Sequence, residues 1–316
     1  SALEDGTLLL AEFPPTSTAV LDPGAPDAEL RRGGYIENGS YFLAFNVRAE
    51  RVFSDTRVRQ ALALAVDVPD LVREAAGAVG QPISTSIIST SWAFPEDLEP
   101  RAPDLEAARR LLDEAGWRPP EDGALRERDG ITLTATLFVR GDDRRRVQAA
   151  GRIAVEARKI GMLVEVVPAD FQSIILPKLA PPYEFDLLLS SWVNAPNTGG
   201  FPTNRFYDPD DYALFGAERI WAGPSDVRQG LRNIGGFSNS EYEEAAQTAR
   251  TTYDLEQREE AIAAAQQVVA DEVPYLFLWA DRIPVLLNTK VQADGSDIQL
   301  NSPRYLWDVE RWYLAD

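Results

Sequence analysis

Cysteine and histidine are both absent from the 316 residues, and methionine occurs once. Without thiol or imidazole the chain has no cysteine nucleophile, no thiolate or imidazole metal ligand and no histidine general base. Ser–His–Asp and Cys–His catalysis are therefore excluded. No disulfide marks an oxidising compartment, so the missing cysteines fit either side of a membrane. Basic residues are scarce beside acids: 31 Lys and Arg against 50 Asp and Glu give a net charge of −19, which lacks the positive footprint of a nucleic-acid binder. No apolar run reaches the roughly 18 residues that a bilayer span requires. The sequence also has no GxxxxGK[ST] phosphate loop, no GxGxxG and no HExxH. A carboxylate-pair hydrolase stays possible, yet no Asp/Glu pair stands out from what read as solvated helix faces. No cofactor is expected. The chain opens on Ser1-Ala2 instead of Met; a start inside a longer gene, behind the scar of a removed tag, is the expectation.

What is present reads as an ordinary core-forming chain, 45% hydrophobic and 26% charged, long enough for two lobes. Residues 8–13, 35–36 and 41–45 have strand character, and Asn38-Gly39 between the last two is a hairpin signal. Asn38-Gly39-Ser40 also matches a glycosylation sequon, but Asn-Gly is what a type I′ turn demands. Ser54 or Asp55 caps a helix, Pro69 fits the first turn of the next, and Asp104 opens a third that Gly116 closes. Ile131, Leu133, Ala135 and Leu137 alternate with threonines, an amphipathic helix over 142–160 ends at Gly161, and residues 163–167 form another strand. That is a βαβ unit. Phe185-Asp186-Leu187-Leu188-Leu189 is the near-continuous apolar run of a strand covered on both faces. Residues 194–238, rich in Gly, Pro, Asn and Asp, form a loop long enough to suggest function. Helices over 240–250 and 254–270 follow, Asp254 and Gln257 making a capping box. Pro274 stops the helical part, and 275–279, 283–287 and 305–313 read as closing strands or extended segments.

Four motifs have a functional and a plain reading. Asp208-Pro209-Asp210-Asp211 and Asp294-Gly295-Ser296-Asp297 lack the ligand spacing and closing Glu of an EF-hand and read better as turns. Arg144-Arg145-Arg146 begins a helix with an apolar stripe behind it and reads as a solvated face before an anion site. Trp192 ends the buried strand where the long loop begins. Ligands of open α/β sheets bind outside the carboxyl ends of strands, so Trp192 is either core or a ligand platform, with Asn194, Asn197 and Thr198 supplying polar contacts.

A family resemblance runs through these segments. Tyr41-Phe42-Leu43-Ala44-Phe45-Asn46 and residues 53–62 (FSDTRVRQAL) are similar to the hinge strand and first helix of the bacterial extracellular solute-binding proteins of family 5, the peptide/nickel class. Residues 107–117 (AARRLLDEAGW), 159–166 (KIGMLVEV), Phe185-Asp186 followed by Trp192, 254–258 (DLEQR) and Glu272-Val273-Pro274 continue the match in order, although Ser191 replaces the family's usual Gly before Trp192. The resemblance implies an α/β, periplasmic-binding-protein-like (type II) lobe with a partial second lobe. Residues 1–40 would be a segment of lobe I and the hinge, 41–275 lobe II, and 276–316 the return segment of lobe I. It implies a non-enzymatic receptor, periplasmic or a cell-surface lipoprotein held by an amino-terminal anchor outside this sequence. Such a receptor captures a small molecule or peptide by hinge closure and delivers it to ABC permease subunits. Tyr41, Leu43, Trp192, Asn194, Asn197 and Thr198 would contact the ligand. Peptide-binding members hold the ligand's α-amino group with an Asp a few residues after the tryptophan; here Val193-Asn194-Ala195-Pro196-Asn197 carries none, so an oligosaccharide is an equal candidate. A family-5-like domain can also be the ligand sensor of a regulator.

Overall fold

A computed structural model describes residues 2–15, 29–89, 91–98, 100–121, 124–193, 211–223, 231–295, 297–302 and 305–315. In chain order the strands are β1 (Leu10–Glu12), β2 (Leu30–Ile36), β3 (Gly39–Phe45), β4 (Gly80–Pro82), β5 (Glu127–Arg128), β6 (Ile131–Thr132), β7 (Thr134–Arg140), β8 (Leu163–Ala169), β9 (Leu187–Val193), β10 (Tyr275–Asn288), β11 (Val291–Ala293) and β12 (Trp312–Leu314). The helices are α1 (Thr56–Ala65), α2 (Val68–Ala75), α3 (Leu105–Glu114), α4 (Arg144–Lys159), α5 (Leu176–Lys178), α6 (Tyr212–Phe215), α7 (Ser240–Thr251) and α8 (Leu255–Glu272).

Short polar side chains start most of these helices. Asp55, Asp67, Asp104, Asp143, Asn239 and Asp254 each accept a hydrogen bond from a backbone N–H of the first turn, a cap that stabilises a helix by about 1 kcal/mol. Along α4 the buried positions Arg146, Ala149, Ala150, Ile153 and Ala157 recur at helical spacing and make one inward stripe. The helix stops at Gly161, whose φ of +81° suits glycine. A Cβ there would also lie 2.9 Å from Arg126 Cγ. The chain then enters β8, which pairs in parallel with β7, so 134–169 is the expected βαβ unit in one sheet.

The main sheet runs β1-β10-β3-β9-β7-β8, with β2 and β4 also on β10. β9 is parallel to β7, and β3 lies antiparallel between β9 and β10. Side-chain alternation divides the core in two. Leu43, Phe45, Leu187, Leu189, Leu276 and Leu278 pack on the side of α1 to α4. Phe42, Ala44, Leu188, Tyr275 and Phe277 pack on the side of α7 and α8. Coverage on both faces explains the unbroken apolar run in β9, and each fully buried Leu or Phe contributes roughly 1.5–3 kcal/mol over exposure. A third cluster around Val285, Leu287, Ile298, Leu300 and Tyr305 lies with the far half of β10.

Three expectations change. Asn38-Gly39 does not turn a hairpin, because β2 and β3 both pair antiparallel to the same long strand, β2 with Arg282–Asn288 and β3 with Tyr275–Trp279. The chain passes from one to the other in the same direction. The two strands expected over 275–287 are one fourteen-residue strand, β10, with a register shift between Phe277 and Trp279. Of 305–313, only the end is strand: Trp312–Leu314 pairs with β11 after a 3₁₀ turn at Val309–Arg311.

Candidate functional site

The parallel strands β7 and β9 end at the edge of the sheet where antiparallel β3 begins and β10 leaves β3 for β2. Register fixes the neighbours there: Tyr41 sits opposite Ser191 on one side and Trp279 on the other, and Ser40 opposite Trp192. The amino end of α4 comes to the same edge because it follows directly from β7, and Asp143 caps it through the backbone N–H groups of Arg145 and Arg146 at 3.1 and 3.2 Å.

A dense polar group results. The Tyr41 ring stacks on Trp279 with centroids 4.3 Å apart and planes 11° from parallel. Arg145 donates to both carboxylate oxygens of Asp281, at 2.8 and 2.9 Å, and to the Tyr41 hydroxyl at 3.0 Å. Asp281 is 2% exposed and also accepts from the Trp279 indole N–H at 3.1 Å. Arg146 lies 5.0 Å from the Tyr41 ring centre and donates to Ser191 Oγ at 2.9 Å. Burial, with the charge of Asp281 adding to it, pushes the Tyr41 phenol up to about 12. Burial likewise raises Glu37 above the usual carboxylate range, again reinforced by Asp281. Glu37, Tyr41 and Ser191 are each half-buried and line this edge. Beside it a hollow of about 230 Å³ opens next to Ile36, Gln81, Pro82, Ser84 and Phe94. The arrangement is a rigid, hydrogen-bonded rim with aromatic faces, suited to orienting a guest. Among the described residues it contains no nucleophile held by a base.

The residues singled out in the sequence are not brought together as one wall. Tyr41 belongs to the rim. Leu43 shares its face two residues along, but is fully buried in the core behind it. Trp192 points to the opposite face, where its ring lies 6.3 Å from Phe42 and under Arg232 at 5.1 Å. Asn194, Asn197 and Thr198 lie outside the described residues, as do residues 208–210 of the first Asp-rich motif. Asp211 is buried and accepts from Ser86 and Gln266. Of the arginine triplet only Arg144 is on the solvated face expected: Arg145 and Arg146 have side chains only 17% and 9% exposed, turned back onto the sheet by Asp281 and Ser191. Arg145, Arg146, Trp279 and Asp281 were missed as site residues because their partners are distant in the chain: Arg145 and Asp281 are 136 positions apart, Arg146 and Ser191 45, and Trp279 stacks on Tyr41. A local signal existed only in the adjacency of the triplet to the strand end.

Residues 1–213 match the family described as bacterial extracellular solute-binding proteins, family 5 Middle. The oligopeptide-binding protein AppA of Bacillus subtilis is 23% identical over 278 residues, covering 87% of this chain and 46% of AppA. In structure, AppA in complex with a nonapeptide superposes with a TM-score of 0.70 at 22% identity, over 100% of this chain and 57% of that one. NikZ of Campylobacter jejuni in complex with Ni(L-His) gives 0.70 at 23% identity, over 98% and 58%. The fold is therefore that of periplasmic binding proteins of this type, and the chain spans about half the length of the relatives it matches.

Proposed function

Since the chain belongs to the bacterial extracellular solute-binding proteins of family 5, which are binding proteins and not enzymes, we propose that it is the ligand-holding part of an extracytoplasmic receptor for an ABC importer. One observation carries the reading: the preorganised rim of Tyr41, Arg145, Arg146, Ser191, Trp279 and Asp281 stands at the strand ends where β10 changes partners. Such an edge is where an open α/β sheet receives ligands. Residues 41–275 act as lobe II, and residues 1–40 and 276–316 as the part of lobe I present here. The lobes close about the crossings at Glu37–Tyr41 and Trp279–Arg282, which are a few element-terminal residues of the kind that absorb hinge motion.

AppA is named for oligopeptides and NikZ was solved with a nickel–histidine complex. For this chain the aromatic faces and mixed hydrogen-bonding groups support a peptide-like or other small organic solute. ABC permease subunits are the partners, and the periplasm or the cell surface is the location.

Mass spectrometry of solutes released from the purified chain, followed by calorimetry with the solute found, tests the reading. Tyr41→Ala is expected to weaken binding by roughly 1–3 kcal/mol, the scale of an aromatic stacking platform. Absence of any retained or measurable solute ligand would refute it.

A further inference from the structure

Where the chain crosses from β2 to β3 it carries a carboxylate that no neighbour neutralises. The backbone pins Glu37 in place, its N–H donating to the Asp281 carbonyl and its own carbonyl accepting from the Gly39 N–H, both at 2.8 Å. The side chain is half-buried and, among the described residues, makes no hydrogen bond or ion pair. Asp281 and Arg145 act on it from β10 and α4, Glu12 from β1 and Tyr35 from β2, while β4 brings no titratable group. Arg145 is already bound to both oxygens of Asp281 and to the Tyr41 hydroxyl. Glu12 is an acceptor too, taking the Tyr305 hydroxyl at 3.1 Å. Glu96 lines the same hollow as Ile36, and the exposed Arg282 lies over Gly34, its Nε 3.2 Å from where a Cβ would stand. Beside Glu37, Asn38 Oδ1 is a buried acceptor without a partner among the described residues. The crossing therefore sets the carboxylates of Glu12, Glu37 and Asp281 and an orphaned acceptor against a guanidinium that is already engaged.

Glu37 also stands where two cores meet. On one side β3 and the near half of β10 belong to the clusters under α1 to α4 and under α7 and α8; on the other the far half of β10 belongs to the cluster of Val285, Leu287 and Ile298. A bend at the crossing that brings the two sides together takes away the water that still reaches the carboxylate. Desolvation disfavours the charged form of an acid, and burial already holds this one above the usual carboxylate range. A neutral carboxyl loses less on burial and is itself a donor, which is what a crossing rich in acceptors lacks. The closed form consequently binds a proton more tightly than the open one.

We propose that Glu37 makes closure of the two lobes proton-dependent: ionised, it props the crossing open, and protonated, it lets the lobes close. This deepens the hinge reading given above and takes it as its basis. The sign follows from linkage. The contribution to closure is complete below the titration of the open form and is lost as pH rises through that of the closed form. Because the chain has no cysteine, spin labels attach only where cysteines are introduced. Val155→Cys on α4 and Leu314→Cys on β12, at positions 56% and 59% exposed, put one label on each lobe, and double electron–electron resonance reads their separation.

Between about pH 7.5 and about pH 5, at matched ionic strength, the ratio of short to long separations is expected to rise about threefold or more. In Glu37→Gln the acid distribution should appear at both pH values. In Glu12→Gln, which removes a neighbouring negative charge, the midpoint of the change should move to lower pH. A broad or two-peaked distribution that pH does not move would overturn the proposal and leave the hinge standing. So would a pH response that persists in Glu37→Gln, which would belong to other acids, or an unmoved midpoint in Glu12→Gln. One narrow separation, the same at both pH values and in every variant, would overturn the hinge reading together with it. Should Glu37→Gln not fold, the Glu12→Gln midpoint decides.

Discussion

Breaking the Arg145–Asp281 pair from either end should have unequal effects. Asp281 is the deeper partner, with its side chain 2% exposed against 17% for Arg145. At about 4 Å and an effective dielectric near 20, two unit charges attract by about 4 kcal/mol. Removing one member of a buried pair costs about 3–5 kcal/mol, because the other charge is left desolvated and alone. Arg145→Met leaves Asp281 with the neutral donors Trp279 and Tyr41 and no counter-charge from Arg145, and belongs at the upper end of that range. Asp281→Asn keeps an acceptor for Arg145, which water partly reaches, so about 2–3 kcal/mol is expected. In Arg145→Met/Asp281→Asn no charge is stranded, and part of the loss returns, giving a coupling energy of about 2–3 kcal/mol. Urea unfolding of the four proteins, followed by tryptophan fluorescence and far-ultraviolet circular dichroism together, measures the cycle. Single costs below about 1 kcal/mol with no coupling would put the pair among surface salt bridges and refute its placement as the rigid anchor of the rim.

Two further predictions concern stability. Glu37 has its folded-state pKa raised, first by burial and then by Asp281, so its contribution is fullest below the ordinary carboxylate value and is lost as pH rises through the raised one. Glu37→Gln should therefore raise the thermal midpoint at neutral pH and lose its advantage in acid; an equal gain at both would refute the linkage. At Gly235 an added Cβ would meet the Phe45 carbonyl oxygen at 2.5 Å, so Gly235→Ala should cost roughly 1–3 kcal/mol in denaturant unfolding, and a neutral result would mean that this contact yields freely.

Local chemistry carried most of the fold into view. The alternation at 131–137, the capping acids at 55, 104 and 254 and the Gly161 stop each act within a few residues, and each marks its element in the structure. Asn38-Gly39 misled because a turn signal says nothing about which strand is the partner, and here both flanking strands found β10. The candidate site was harder to see for the same reason. Tyr41 and Ser191 were visible at strand ends, but the Asp281 that immobilises Arg145, and the Arg232 that lies on Trp192, come from other elements that only the folded sheet brings in. Leu43 was assigned to the site through its period-two relation to Tyr41, and the covering helices, which periodicity cannot place, enclose it.

The long strand β10 also imposes an order of assembly. Leu10 pairs with Leu287 and Leu30 with Asn288, so β1 and β2 wait during synthesis for a partner more than 200 residues later in the chain. β3 waits as well, since its partners begin at Leu187 and Tyr275. Loop closure over such spans has to be met before any pairing is rewarded, which makes folding slow. During that interval β1, β2 and β3 are open edges carrying Leu10, Tyr35 and Phe42, able to recruit other chains. A chaperone that holds these edges until β10 is made would suit such a pairing order.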